Sequence, residues 1–343
     1  MKRFPVHGIG LQRALALILA SFTMAVMVAP GAVSAAGNKA LEVLRKAVLA
    51  QGHVAYSSVG TVTGPPGQGA RPSTQTVFRQ VGGRERIKVQ DGAGRAVWLR
   101  VCDGKTSWEH HPGTGQVFTR VQPPAERLRA RELFNLEMLG ANYDVRLVGA
   151  ETIAGRQAYR IRIGSTGSER RPVREVWIDQ AKYVELRTQG FGPDGRAIRS
   201  VVVDRINFAP TFPAGAFAFA SPPRCKTRAI APSRFVGSVS AAAKQAGFGA
   251  HLPPRVPAGF ALYPNLASVR EIRGVTVLWF QYTDGVRQFS VFERSIPPGG
   301  KEPPPGRGWA RTVRVGDAHF TIVGQLSPQE FETITAGYAA LPR

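Results

Sequence analysis

Residues 84–108 read RERIKVQDGAGRAVWLRVCDGKTSW, and this stretch decides the fold class of the larger part of the chain. Apolar and polar residues alternate through 84–89 and again through 95–101, which is the period of a strand with one buried and one solvated face. Asp103-Gly104 then supplies the backbone freedom that a tight hairpin needs. The stretch therefore predicts antiparallel strands joined by short turns.

The pattern around this stretch predicts a long β region with two helices. Residues 39–51 have apolar positions at helical spacing, and residues 126–139 are helical in propensity, with Gly140 as the expected stop. Further strands are expected near 53–63, 74–81, 106–110, 116–121, 142–149, 157–164, 173–178, 183–189 and 197–207.

A change in composition divides the chain. Residues 221–237 are rich in proline and cations and are predicted to form a linker. Residues 238–343 again show alternating strands, and Ser327-Pro328 fits the first positions of a last helix over 328–340. We therefore predict an α+β protein with domains at 36–220 and 238–343.

The N-terminal residues indicate export. Lys2, Arg3 and Arg13 accompany an apolar run of about 15 residues, shorter than the ~20 that span a bilayer, and Ala35-Ala36 follows a small-residue stretch. We predict a signal peptide over 1–35, cleaved after Ala35 or Ala36, and a periplasmic or otherwise extracytoplasmic mature protein. An uncleaved anchor is the alternative.

The charge balance is strongly basic. The net charge is +22, most cations are arginine, and removal of the predicted signal leaves about +19. Guanidinium groups bind phosphates, anionic headgroups and carboxylates bidentately, so an acidic partner or a lipid surface fits this composition. Export argues against nucleic acid as the partner. A solvated, arginine-biased surface explains the charge equally well.

The two cysteines, Cys102 and Cys225, form an even count in a chain expected to be exported, which predicts a disulfide between them. Two unpaired thiols are the alternative, because the sequence does not give the distance between them.

No catalytic or metal-binding motif is present. The sequence has no Gly-x-Ser-x-Gly elbow, no phosphate-binding glycine loop, no His-Glu-x-x-His and no Cys-x-x-Cys. His110 and His111 are adjacent, and neighbours on a strand point to opposite faces, so one metal does not bind both easily. We predict a protein that is not an enzyme and carries neither cofactor nor metal.

Large apolar residues on the sheet and on the second helix suggest a groove for an acyl chain or for an apolar segment of a partner. Eight residues form this candidate groove: Phe78, Leu99, Trp108, Phe118, Leu133, Phe134, Met138 and Trp177. Three cations on the same helix could contact anionic groups at its rim: Arg127, Arg129 and Arg131. An ordinary core and a solvated run of charge are the alternatives.

Several segments in a fixed order carry a resemblance to a known family. They are CDGKTSW at 102–108 with GQV at 115–117, NYDVRLVG at 142–149, IAGRQAY at 153–159, EVWID at 175–179, DRINF at 204–208, FAF at 217–219, VPAGF at 256–260, YTDGVRQFSVFE at 282–293 and FTIVGQL at 320–326. The chain resembles the RseB/MucB family of periplasmic sigma-factor regulators, whose first domain is similar to the lipoprotein carrier and localisation proteins.

This resemblance implies a half-open antiparallel β-barrel closed by helices, followed by a smaller α+β domain. It also implies a role without catalysis: binding the extracytoplasmic part of a membrane anti-sigma factor, and releasing it when envelope lipid or lipoprotein stress is sensed. A carrier of lipids or acylated proteins that uses only the first domain is the second hypothesis. The sequence leaves the oligomeric state open.

Overall fold

The computed structural model describes two β-sheets, four α-helices and one short 3-10 helix, Pro112–Thr114, among the residues that it covers. The described residues are 35–64, 71–166, 171–192, 194–230, 234–272, 274–296 and 310–341. The predicted signal peptide therefore lies outside the described residues, apart from its last position. Among the described helices, none is both long and apolar enough to cross a membrane.

The first sheet has twelve strands and contains the stretch 84–108. Its strands are β1 (Tyr56–Thr63), β2 (Ser73–Gln80), β3 (Arg84–Gln90), β4 (Ala96–Asp103), β5 (Thr106–His111), β6 (Gln116–Val121), β7 (Tyr143–Ile153), β8 (Arg156–Ser165), β9 (Pro172–Asp179), β10 (Glu185–Phe191), β11 (Ala197–Asn207) and β12 (Lys226–Ile230). Their order is β12-β6-β5-β4-β3-β2-β1-β11-β10-β9-β8-β7, and all neighbours are antiparallel except β12 and β6. The described pairings leave this sheet open, with β12 and β7 at its two edges.

Two helices lie against the β7 end of this sheet: α1 (Ala35–Ala50) and α2 (Ala125–Asn142). Their apolar residues form one buried cluster with alternate residues of the strands, consisting of Ala40, Val43, Leu136, Leu139, Val145, Ile161, Ile163, Val176 and Ile178. Gly140 does not end α2, contrary to the sequence prediction. A Cβ at this position would lie 3.0 Å from Leu41 Cδ1, so glycine here allows close contact between the helices.

The chain after β11 covers part of the other half of this sheet. The Phe212 ring lies 5.7 Å from the Phe78 ring, and the Phe219 ring stacks on Trp108 at 5.8 Å. The side chain of Arg86 also donates to the carbonyl oxygen of Ala216. This segment is therefore held on the sheet by aromatic contacts although it has no regular structure over most of its length.

The second sheet forms the core of the C-terminal part. Its strands are β13 (Arg234–Gly237), β14 (Ala261–Leu262), β15 (Ala267–Ile272), β16 (Val275–Thr283), β17 (Gln288–Ser295), β18 (Ala310–Val315) and β19 (Ala318–Gly324), in the order β13-β15-β16-β17-β19-β18, with β14 paired to β16. The helices α3 (Val239–Ala246) and α4 (Pro328–Ala339) pack on it, around the fully buried Phe280, Phe320 and Tyr338.

The predicted start of the last helix is confirmed. The Ser327 side chain accepts from the Glu330 N–H at 3.2 Å, and the Glu330 side chain accepts from the Ser327 N–H at 2.7 Å. This reciprocal capping satisfies two N–H groups that lack partners in the first turn. Proline occupies the first helical turn, where no N–H is needed.

The mixed α+β class that the sequence predicts is confirmed. The segment 221–237, predicted as a linker, contributes a strand to each sheet: β12 lies parallel to β6, and β13 pairs with β15. The composition did not indicate these strands. Because β12 lies at a sheet edge and is exposed along almost its whole length, its cations remain in water and its sequence is as polar as that of a loop.

The predicted disulfide is contradicted, because Cys102 and Cys225 are both free. Cys102 lies on β4, whereas Cys225 precedes β12, and β5 and β6 lie between those strands. Three strand spacings of about 4.8 Å separate the cysteines by about 14 Å, twice the largest Cα separation that a disulfide tolerates. Instead, the Sγ of Cys225 contacts His110 Nε2 at 3.5 Å.

Cysteine labelling tests this correction. Protein that has not been reduced is denatured in the presence of iodoacetamide. Intact-mass spectrometry is then expected to show two adducts per chain. In the native state, half-buried Cys225 should react first, because Cys102 is buried and burial raises the pKa of its thiol above the ordinary value. A denatured chain that gains adducts only after reduction would restore the disulfide.

Candidate functional site

Helix α2 is shared between the two parts of the chain. On one side, Leu136 and Leu139 belong to the cluster with α1 and the first sheet. On the other side, Phe134 is fully buried against the second part, with its ring 5.3 Å from the Tyr263 ring and with Leu266 in the same cluster. We call this contact between α2 and the second part the junction.

A buried amide forms the polar centre of the junction. The Asn135 side chain is 3% exposed, and its Oδ1 accepts hydrogen bonds from Tyr263 Oη at 2.9 Å and from Thr283 Oγ1 at 2.5 Å. Tyr263 and Thr283 are themselves buried. Buried hydroxyl groups without an acceptor are costly, so these bonds favour one placement of the helix on the second sheet.

The turn between β16 and β17 packs closely against α2. A Cβ on Gly285 would lie 2.4 Å from the backbone nitrogen of Leu139, and the φ of Gly285 is 101°. Only glycine fits this close approach and this left-handed conformation. At the end of the helix, Asn142 Nδ2 donates to the carbonyl oxygens of Gly259 at 2.8 Å and Asp284 at 3.0 Å.

Ion pairs made by Arg287 stabilise the turn between β16 and β17. Arg287 donates to Asp284 Oδ2 at 2.8 Å and to Glu330 Oε2 at 2.9 Å, which ties the turn to the start of α4. Burial raises the pKa of Tyr143, the first residue of β7, and the nearby carboxylate of Asp284 raises it further. The turn is therefore charged: the Asp284 side chain is 3% exposed and lies near Tyr143 of the first part, whereas the Arg287 side chain is 36% exposed.

Two acidic side chains on the first part titrate in an unusual range. Burial raises the pKa of Glu132 to about 8, although the guanidinium groups of Arg131 and Arg79 oppose the shift. Burial likewise raises the pKa of Glu185 to about 7, opposed by Arg174 and Arg79. Glu185 is nevertheless exposed to solvent, and contact with water favours the charged carboxylate and so opposes the same rise in pKa.

The structure does not bring the predicted groove residues together. Phe78, Leu99 and Trp108 share one face of β2–β5, because Phe78, Arg86, Val101 and Trp108 are successive cross-strand neighbours. Phe118 pairs with Glu109 and lies on the opposite face. Trp177 alternates with Val176 and Ile178, which contact the helices, so it faces away from them.

Two of the three predicted groove residues on α2 are covered at the junction. Phe134 is covered by Tyr263 and Leu266, Met138 packs against the same cluster, and Leu133 is half-buried. The eight residues therefore lie on separate surfaces. The sequence prediction failed because it treated every large apolar side chain of the sheet as if it pointed to one side.

The three predicted anion contacts also have other partners. The Arg127 guanidinium lies 4.6 Å from the Phe235 ring, and that of Arg131 lies 5.0 Å from the Tyr263 ring and donates to Gln288 Oε1 at 3.0 Å. Arg129 contacts His53 Nε2 at 2.7 Å. Arg127 and Arg131 are thus parts of the junction.

Sequence reasoning missed Asn135, Asn142 and Tyr263 as junction residues. The sequence did contain one signal for this contact. Asn135 is a polar residue within an apolar face of a predicted helix, and a buried polar contact often has this pattern. Thr283-Asp284-Gly285 has the composition of a tight turn, but its packing partner lies over 140 positions away in the sequence. Among the described residues, no cluster of three or more His, Cys, Asp or Glu could hold a metal ion.

An open sheet and a second α+β part that share one helix define a two-module protein. The family model described as "MucB/RseB N-terminal domain" matches residues 44–220, just over half of the chain. The chain therefore belongs to the MucB/RseB family.

Solved structures of MucB share the fold. The complex of Pseudomonas aeruginosa MucA/MucB is 18% identical, with a TM-score of 0.54 over 87% of this chain and 97% of that chain. A crystal structure of MucB is 19% identical, with a TM-score of 0.51 over 90% and 98% of the two chains. MucB in complex with MucA(peri) is 17% identical, with a TM-score of 0.50 over 87% and 97%. No curated protein matches the chain.

Removal of the buried amide tests the junction. Asn135→Ala removes the acceptor that the Tyr263 and Thr283 hydroxyl groups share, and the Thr283 hydroxyl can then donate to the carbonyl oxygen of Arg287 at 3.1 Å. The free energy of unfolding should therefore fall by about 1–3 kcal/mol. Urea unfolding measures this loss. Glu137→Ala, an exposed position on the same helix, is the matched control and should change stability by no more than about 0.5 kcal/mol. Equal stability of the two variants would contradict the junction.

The buried carboxyl of Glu132 predicts a pH dependence. Its folded pKa of about 8 lies above the ordinary 4.5, so its contribution to stability is complete below pH 4.5 and is lost as the pH rises through 8. Glu132→Gln should match the parent chain at pH 5 and exceed its stability by about 1–3 kcal/mol at pH 8.5. Urea unfolding at both pH values tests this, and a variant that is less stable at pH 8.5 would refute it.

Proposed function

We propose that this chain is an exported, non-enzymatic regulator that binds the extracytoplasmic part of a membrane anti-sigma factor. The observation that carries the proposal is family membership together with a fold shared with MucB over 87–90% of this chain, across both modules. MucB is described in complex with MucA(peri). The predicted signal peptide supports the periplasmic location, and we propose domains at 36–220 and 238–343.

The connecting segment supports an acidic partner. Lys226, Arg228 and Arg234 lie in β12 and β13, and all three side chains are exposed. Together with a net charge of +22, these cations would attract an acidic extended segment and accelerate its association. Because β12 is an edge strand, its outer edge would also accept main-chain hydrogen bonds from such a segment.

Sensing of lipid or lipoprotein stress is the second element of the proposal, and it rests on the resemblance of the first domain to lipoprotein carriers. In this proposal the open first sheet and its helices act as a half-open barrel. Helix α2 contacts both modules, so a ligand that displaces the helix would alter the junction. Such a ligand can release the partner only if it binds the two arrangements with different affinity.

The carrier hypothesis is weaker on this structure. A carrier would need the apolar face of α2 to be accessible to an acyl chain. Phe134 is fully buried, however, and the second module covers it through Tyr263 and Leu266. A pure carrier would have no use for this covering module.

A binding experiment with a junction variant tests the proposal. The mature chain is expected to form a stoichiometric complex with the purified extracytoplasmic segment of its anti-sigma factor, measured by calorimetry. Gly285→Ala introduces a Cβ against Leu139 and should weaken binding at least about tenfold if the partner requires an intact junction.

The matched control is Gly113→Ala, since Gly113 has open space for a Cβ. It should bind within about twofold of the parent chain, which is the scatter expected for a surface change. Absence of any complex, with uptake of a fluorescent fatty acid instead, would contradict the regulator and support a carrier.

A further inference from the structure

A cavity of about 420 Å³ opens on the face of β7–β10 that points away from α1 and α2. This volume lies within the range of small-molecule sites, roughly 300–1,000 Å³. It is lined by the Trp177 ring, by arginine and glutamate side chains, by Gln189 and by the apolar Pro172 and Phe191. The cavity shares no residue with the junction.

Both carboxylates of the cavity are already engaged. Glu175 is 4% exposed and accepts from Arg160 Nη2 at 2.9 Å and from Arg162 Nε at 2.6 Å. Glu151 accepts from Arg160 Nη1 at 2.7 Å and from the indole N–H of Trp177 at 2.9 Å. These acids therefore serve to hold Arg160 and Trp177 in place, and a cationic ligand would have to compete with those bonds.

The donors that remain belong to arginine. Arg187 stacks on Trp177 at 4.2 Å and donates one N–H to Gln189 Oε1 at 2.8 Å. Its Nε is buried and has no acceptor among the described residues. Arg162 also lines the cavity; its side chain is 49% exposed, and its Nε donates to Glu175. A buried guanidinium N–H without an acceptor is costly, and a rotation of the Arg187 side chain toward the cavity would let an incoming anionic oxygen satisfy it.

The lining carries three guanidinium groups and two carboxylates, a net charge of +1. We propose that this cavity binds the carboxylate of a small, partly apolar ligand, with the carboxylate on Arg187 and Arg162 and the apolar body against Phe191 and Pro172. A monoanion matches the net charge, whereas a phosphate dianion would be repelled by Glu151 and Glu175. The carboxylate belongs either to a free organic acid or to the C-terminus of a peptide.

A matched pair of probes tests the proposal. N-acetylleucine has a carboxylate, and N-acetylleucinamide is its neutral counterpart of nearly equal shape. In nitrogen-15 spectra of the full mature chain, the acid should shift the indole N–H signal of Trp177 saturably, because that group lies in the cavity wall. The signal is assigned with Trp177→Phe. The amide should leave it unchanged.

Substitutions of Arg187 and Arg162 test where the carboxylate binds. Arg187→Gln and, separately, Arg162→Gln should each weaken binding of the acid by about tenfold or more, as expected for the loss of a charged hydrogen bond. Arg205→Gln, an exposed position of the same sheet outside the cavity, should bind within about twofold of the parent chain. Using two arginine positions keeps the test valid if one variant is misfolded.

Peptides distinguish the two sources. A tripeptide ending in leucine with a free carboxylate should shift Trp177 if the natural ligand is a peptide terminus, whereas only the free acid should do so if the cavity is too closed for a chain. Three results would overturn the proposal: equal shifts from acid and amide, no saturable shift from any acid, or unchanged affinity in both arginine variants.

Discussion

The placement of α2 between two sheets is the constraint on which the rest of this structure depends. An amphipathic helix normally buries one face, but α2 buries Leu136 and Leu139 on the first module and Phe134 on the second. Asn135 accepts two hydroxyl donors between those faces, and Gly285 lets the β16–β17 turn reach the helix backbone. Apolar packing supplies most of the attraction, whereas the buried amide determines the register.

Much of the fold could be predicted from the sequence because its signals are local. Alternation over 84–101 and the Asp-Gly turns define antiparallel strands, and Ser327-Pro328 with Glu330 defines the start of a helix. The strands of 221–237 could not be read in this way, since an exposed edge strand has the polar composition of a loop. The free cysteines were missed because the distance between two residues depends on strand order, which local patterns do not reveal.

The candidate site was less predictable than the fold. Whether Trp177 belongs to a groove depends on the side of the sheet that the helices cover, and that side follows from packing over the whole module. Trp177 instead lies between two guanidinium groups on the face away from the helices, where charge and aromatic surface meet. The arginine side chains are therefore not all part of a solvated surface. Four of them also make structural contacts through aromatic stacking, ion pairs or bonds across the junction: Arg131, Arg160, Arg187 and Arg287.

We expect α2 to contact both modules as one unit in solution. A double-mutant cycle on Asn135→Ala and Tyr263→Phe measures it most directly, because these residues lie on different modules and interact through one buried hydrogen bond. We expect a coupling energy of about 1 kcal/mol or more in the free energy of unfolding. Strict additivity of the two substitutions would contradict it, since residues on modules that do not touch cannot be coupled.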